Sequence, residues 1–314
     1  MNLSQTALVF PGQGSQSAGM LVDYFNDHKT FSDTFENAKE ITGIDFKSLI
    51  FLGNSEDLSK TEITQPLMLT ANVALWNTLE IKSSSLGAMA GHSLGEFAAL
   101  VAGDVLLFED ALRLVSIRAK LMQEAVPQNE GGIAAIIGLE ESKIKIICEE
   151  VTALEEELVN LANINSPVQI VISGTKKGVE IAIDRCKEAG AKRAMLLAMS
   201  VPAHCNLMSE AASKFSTHLD SVNFNTPSLK IFQNYNASFS DDLEVVKQNL
   251  INQVDSPVRW VEIIKNINSL KVNKYIECGP GKVLSGLIKR IVNDVEIISL
   301  DNYSSYLEKF NNLK

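Results

Sequence analysis

The strongest constraint in this sequence is the run Gly91-His92-Ser93-Leu94-Gly95, set between a short strand of small residues, expected over 86–90, and a helix. A serine held between glycines at such a junction fits a sharp strand-to-helix turn, because small flanking residues let the backbone pass close to its neighbours. Leu94, Phe97, Ala98 and Val101 follow at helical spacing and predict one apolar face. The turn presents its serine as a nucleophile and belongs to a parallel α/β sheet. The plainer alternative is a tight connection in which Ser93 only caps the helix.

The rest of the chain agrees with an α/β reading. An apolar strand at 6–10 stops at Pro11-Gly12, and a helix is expected over 25–41. Pro66 suits the first turn of a helix at 67–79, where proline forfeits no hydrogen bond. From about 131 to 197 the pattern reads strand 133–137, helix 140–150, strands 158–164 and 169–173, helix 176–189 and strand 193–197. That order is the split-βαβ, ferredoxin-like arrangement. Strands near 229–233 and 274–278 follow. The expected fold is α/β, with a hydrolase-like parallel-sheet large domain at 1–128 and 199–314 and an inserted ferredoxin-like (βαββαβ) small domain at 129–198.

A serine hydroxyl needs a base. Of the four histidines, His92 adjoins Ser93 and should point away from it, His28 sits in a polar segment that reads as exposed, and His218 falls within a helix at 207–219. His204 remains, in Ser200-Val201-Pro202-Ala203-His204-Cys205, at the carboxyl end of the last small-domain strand, where ligands gather in parallel sheets. A capping role is its alternative, and Cys205 reads as packing. The Leu94 N–H supplies one oxyanion donor at the helix start. The second is expected from Gln13, between two glycines in Phe10-Pro11-Gly12-Gln13-Gly14-Ser15-Gln16, a run that also fits a simple β-turn. Neither this run nor Gly279-Pro280-Gly281-Lys282, read as a turn leaving a strand, is a phosphate loop.

A helix expected over 109–125 carries Arg118 on the apolar face of Ala111, Leu114, Val115, Leu121 and Met122. A guanidinium there cannot shed its charge, so burial demands an anionic partner. Either an internal Asp or Glu supplies it, or a carboxylate on the substrate does.

Composition excludes other classes. With 28 Lys and Arg against 38 Asp and Glu, the formal net charge is -10, and no basic stretch suits nucleic acid. Cys148, Cys186, Cys205 and Cys278 are scattered and read as reduced thiols, with no metal site. No signal peptide or membrane-length apolar run is apparent, so a cytoplasmic protein is expected, with a monomer favoured.

These segments, with Thr64-Gln65-Pro66, Gly91 to Glu96, Ser116-Ile117-Arg118, Asn165-Ser166-Pro167 and Gly279 to Leu284, resemble the malonyl-CoA:acyl carrier protein transacylases of bacterial fatty-acid synthesis over nearly the whole chain. The resemblance implies a ping-pong transfer through a Ser93 acyl-enzyme. His204 would be base and then acid, Gln13 and Leu94 backbone N–H groups the oxyanion hole, and Arg118 the partner of the malonyl carboxylate. Gln253 matches the position whose backbone carbonyl orients the histidine. No cofactor is implied: malonyl-CoA is a substrate, and the partners are a coenzyme A thioester and acyl carrier protein. Such carriers are acidic, so a local basic surface must outweigh the net charge, either Lys187, Lys192 and Arg193 or Lys282, Lys289 and Arg290. Ala203, where the family often has serine, and Gly131-Gly132 are departures that remove no catalytic group. The rival reading is a serine esterase or thioesterase of α/β-hydrolase type. That family places its histidine near the C-terminus, whereas His204 lies well inside this 314-residue chain.

Overall fold

The computed structural model describes residues 3–127, 129–154, 157–197 and 201–310. Residues 128, 198 and 199, at the expected domain limits, and Ser200 lie outside the described residues. The fold is mixed α/β with two separate sheets. In chain order the strands are β1 (Thr6–Phe10), β2 (Ala88–Gly91), β3 (Gly131–Ile137), β4 (Val159–Ser166), β5 (Gln169–Thr175), β6 (Arg193–Leu196), β7 (Ile231–Phe232), β8 (Lys274–Glu277) and β9 (Glu296–Ser299).

The first sheet has the order β7-β2-β1-β8-β9, every pair parallel. All five residues of β1 are buried because both faces of this sheet are covered. Leu8 and Phe10 join a large core with Met89 and Phe97, while Ala7 and Val9 face Trp260 and Ile263 on the other side. The chain leaves β1 toward β2 and β7, then returns to the opposite flank with β8 and β9. The carboxyl end of β1 therefore lies at a switch point, where crevices form in open parallel sheets.

The second sheet, order β4-β5-β3-β6, is antiparallel throughout. Alternation divides it: Ala134, Ile136, Ile170 and Ile172 pack against the helices Glu141–Leu154 and Lys176–Glu188, while Ile133 and Val171 face the other way. A backbone seam joins the two parts, with Val258 N–H donating to Ala162 O at 2.9 Å and Ile164 N–H to Val258 O at 2.9 Å.

Several local expectations change. The helix expected over 25–41 is two, Val22–Asp27 and Lys29–Thr42, broken where His28 becomes extended (φ -129°). His28 is half-buried among Tyr24, Tyr303 and Tyr306, not exposed. Pro66 lies inside the helix Thr61–Thr78 instead of its first turn. Burial of nearly every residue from Thr64 to Leu75 outweighs the single backbone bond that the proline forfeits. The helix after Ser93, Gly95–Ala102, is buried on almost all sides, so its expected amphipathic character is absent. Strand β9 had no sequence signal. All four cysteines are buried and free, and no helix among the described residues is long and apolar enough to cross a membrane.

Candidate active site

Segments leaving the carboxyl ends of three parallel strands converge on a cleft of about 390 Å³. The β1 segment brings Gly12 and Gln13, β2 brings Ser93, and β8 leads toward Val283 and Leu284, while β7 leads into Asn234 behind the Ser93 turn. The antiparallel sheet closes the opposite wall with Ile133, Ala135 and Val171.

Ser93 occupies the left-handed region at φ 51°, a conformation that a non-glycine residue holds only when its surroundings fix it. A Cβ at Gly91 would overlap the Gly95 carbonyl, and one at Gly95 would overlap the Phe10 carbonyl, so both positions require glycine for close approach. The Asn234 side chain brackets the turn: its Oδ1 accepts from Ser93 N–H at 2.6 Å and its Nδ2 donates to Gly91 O at 2.7 Å.

Ser93 Oγ lies 2.7 Å from His204 Nε2, and His204 Nδ1 lies 2.7 Å from the Gln253 backbone carbonyl. A carbonyl only accepts, so Nδ1 carries the proton and Nε2 offers its lone pair to the serine hydroxyl. His204 is also left-handed, at φ 62°. Burial first, and the Arg118 charge second, push its pKa down to about 3. The imidazole is therefore neutral at physiological pH, as a general base requires. His204 reaches the site, but the parallel-sheet argument that pointed to it fails, because the preceding strand β6 belongs to the antiparallel sheet.

Arg118, on the helix Phe108–Glu124, is 1% exposed and lines the cleft. It has no ion pair among the described residues. Nη1 donates to Gln65 Oε1 at 2.6 Å and Nη2 to Gln253 Oε1 at 3.0 Å, with Ser93 Oγ 3.4 Å from Nη2. Neutral amide oxygens thus hold the cation, and of the two partners expected for it the internal carboxylate makes no direct bond: Glu96 is linked to it through Gln253 and acts on it through its charge. Burial lowers the arginine's pKa to about 10, which leaves it charged.

Gly12 packs against His92 O and Leu94 N, so the turn after β1 lies beside the start of the Ser93 helix. Gln13 and Leu94 both line the cleft, and neither backbone N–H donates to another group among the described residues. His92 turns away from Ser93, as expected, with Nε2 2.7 Å from Asn165 Oδ1 and its ring against Trp260. Four polar residues of the site had no assigned role in the sequence: Gln65, Glu96, Asn165 and Asn234. The first three fall inside segments that carry the family resemblance. Asn234 had no signal, since it follows a two-residue strand.

The model of the acyl transferase domain matches residues 7–300. The malonyl CoA-acyl carrier protein transacylase of Haemophilus influenzae is 44% identical over 306 residues, covering 97% of each chain. Among solved structures, a malonyl-transacylase in complex with a type II PKS acyl-carrier protein superposes with a TM-score of 0.94 at 42% identity, covering 98% of this chain and 99% of that one. An acyl carrier protein S-malonyltransferase from Vibrio cholerae gives 0.92 at 42% identity, covering 99% and 100%. With this likeness running the length of the chain, the protein belongs to the acyl transferase family and, within it, to the malonyl CoA-acyl carrier protein transacylases.

Proposed function

We propose that this protein transfers a malonyl group from coenzyme A to the phosphopantetheine thiol of acyl carrier protein through a Ser93 acyl-enzyme. The observation that carries the reading is a buried, charged arginine within 3.4 Å of an activated serine hydroxyl. Such a pair suits an acyl group whose far end is a carboxylate. His204 takes the Ser93 proton as Oγ attacks the thioester carbonyl, then returns it to the departing coenzyme A sulfur. The carrier thiol repeats the sequence in reverse. The Gln13 and Leu94 N–H groups hold the carbonyl oxygen while it is negative. Gln253 orients the imidazole through its backbone carbonyl. The chemistry calls for no metal or prosthetic group.

We read the parallel sheet as the hydrolase-like large domain, residues 1–128 and 199–314, and the antiparallel sheet as a ferredoxin-like insertion at 129–198. Carrier docking is assigned to the outer rim of the cleft. There Gln169, Ile137 and Arg193 form one row across the antiparallel sheet, and Arg290 Nη1 donates to Gln169 Oε1 at 2.9 Å. One arginine from each basic group anticipated in the sequence thus meets the same row, with exposed Met195 on the same strand as Arg193 and exposed Val283 lining the cleft with Gln169. Lys187 and Lys282 are occupied by Asp184 and Asp301.

Mixing the protein with malonyl-CoA should give a malonyl adduct on Ser93, seen by mass spectrometry, and none on Ser93→Ala. With carrier present, transfer should exceed hydrolysis of malonyl-CoA; dominant hydrolysis would restore the esterase reading.

A further inference from the structure

Glu96 is a fully buried carboxylate directly behind the nucleophile, and the mechanism above does not use it. Its Oε1 accepts from Gln233 Nε2 at 3.2 Å; its Oε2 accepts from Asn234 N–H at 2.9 Å and Gln253 Nε2 at 2.8 Å. Every one of these partners is a donor. Burial outweighs the three donors and the Arg118 charge, which act the other way, and the carboxyl is pushed up to about 7.

The consequence for Gln253 is geometric. A primary amide has two N–H donors and one oxygen, and nothing in its shape says which end points where. Here the Gln253 Nε2 faces two oxygens that accept from it, Glu96 Oε2, which also accepts from Asn234 N–H, and the Ser93 carbonyl at 3.1 Å. The Gln253 oxygen must then face Arg118 Nη2. A flipped amide would set N–H against N–H at the arginine and oxygen against oxygen at the glutamate. Glu96 also holds the main chain of Asn234, whose side chain brackets the Ser93 peptide. One carboxylate thus reaches the nucleophile by one arm and the arginine by the other.

We propose that Glu96 is a positioning residue for acyl selectivity, fixing the Gln253 amide so that its oxygen aims the Arg118 guanidinium at the acyl carboxylate. The proposal rests on the malonyl-transfer reading. Of the five N–H groups of a guanidinium, Gln65 and Gln253 each engage one and so set its plane. Nη2 also faces Ser93 Oγ at 3.4 Å, and the second N–H of Nη1 is left for the substrate. Replacing Glu96 by its isosteric amide sets an NH2 group either against Gln233 Nε2 or against Asn234 N–H and Gln253 Nε2, and it exchanges a charged acceptor for a neutral one or for none, so the hold on the Gln253 amide weakens.

The test is the single-turnover rate of Ser93 acylation by malonyl-CoA and by acetyl-CoA, followed by mass spectrometry, in wild type, Glu96→Gln, Arg118→Ala and the double variant. Glu96→Gln should lower the malonyl-to-acetyl ratio by about tenfold or more, the size expected for a misaligned charge-assisted contact. In the Arg118→Ala background the same substitution should leave the ratio unchanged, because its effect acts through that arginine. A merely structural role would lower both rates together. A ratio unaltered by Glu96→Gln, or lowered equally without Arg118, overturns the proposal. Should Glu96→Gln fail to fold, Gln253→Met supplies the test: it keeps the backbone carbonyl for His204, and an unaltered ratio in that variant also overturns it. A wild-type protein that forms no malonyl adduct refutes the underlying function instead.

Discussion

Arg118 Nη2 stands 3.4 Å from Ser93 Oγ, while neutral oxygens of Gln65 and Gln253 hold the guanidinium in place. A cation so held has paid its desolvation cost without a counter-ion, and an incoming carboxylate supplies one. Arg118→Ala should therefore slow acylation by malonyl-CoA roughly ten- to hundredfold, the range for one charge-assisted contact, with a smaller effect on acetyl-CoA. Equal losses for the two donors, measured under single turnover, would remove the carboxylate-pairing role.

His204 should stay neutral from about pH 5 to 8, the interval in which an ordinary histidine titrates. Its pKa lies at about 3, so the proton is bound only well below that interval, and the base form is present throughout it. Burial is the larger cause and the Arg118 charge the second. Arg118→Ala should thus move the midpoint upward, toward the ordinary value. Titration of the imidazole followed by NMR checks both statements; a wild-type midpoint near 6.5 contradicts the first.

Gly95→Ala should destabilise the fold by about 3 kcal/mol or more, because the new Cβ meets the Phe10 backbone carbonyl, which has no flexible side chain to yield. The thermal midpoint should fall by on the order of 10 °C. Gly286→Ala is the control: it lies in the helix Val283–Ile288 with open space around it, and alanine is the better helix former. Calorimetry of the two variants should move in opposite directions.

Arg193→Glu and Arg290→Glu should raise the KM for carrier protein and flatten its dependence on salt, since both arginines border the row containing Gln169. Acylation by a malonyl thioester of a short, uncharged thiol should change little, which separates docking from chemistry. Lys187→Glu, on the helix that covers the opposite face of the same sheet, should leave the carrier KM within about twofold of wild type. A Lys187 effect as large as the arginine effects would relocate the docking surface.

What could be read in the chain depended on how locally each feature is encoded. The Ser93 turn needs glycines within two residues on either side, and the antiparallel sheet announces itself through a continuous order of strands and helices. His204 was reached by elimination among four histidines, and Arg118 by its place on an apolar face. The polar scaffold behind them was legible only in part: the resemblance marked Gln253 for its backbone carbonyl, not for its side chain. Asn234 contacts Ser93 across 141 positions, and Gln253 contacts Glu96 across 157. Nothing in the local pattern marks an asparagine or glutamine that will be drawn into a core. His28 and Pro66 misled for the same reason: aromatic packing from residues 303 and 306, and burial of a whole helix, overrode local propensity.

The carbonyl that accepts the His204 Nδ1 proton has a chemical consequence of its own. A carboxylate in that position would stabilise the imidazolium and make the histidine a stronger base; an uncharged oxygen does so less. The imidazolium here is correspondingly acidic and gives up its proton readily. That suits sulfur, because a thiol ionises near pH 8.5 and leaves or attacks with little help. Exchange between two thioesters of similar energy can then run in either direction.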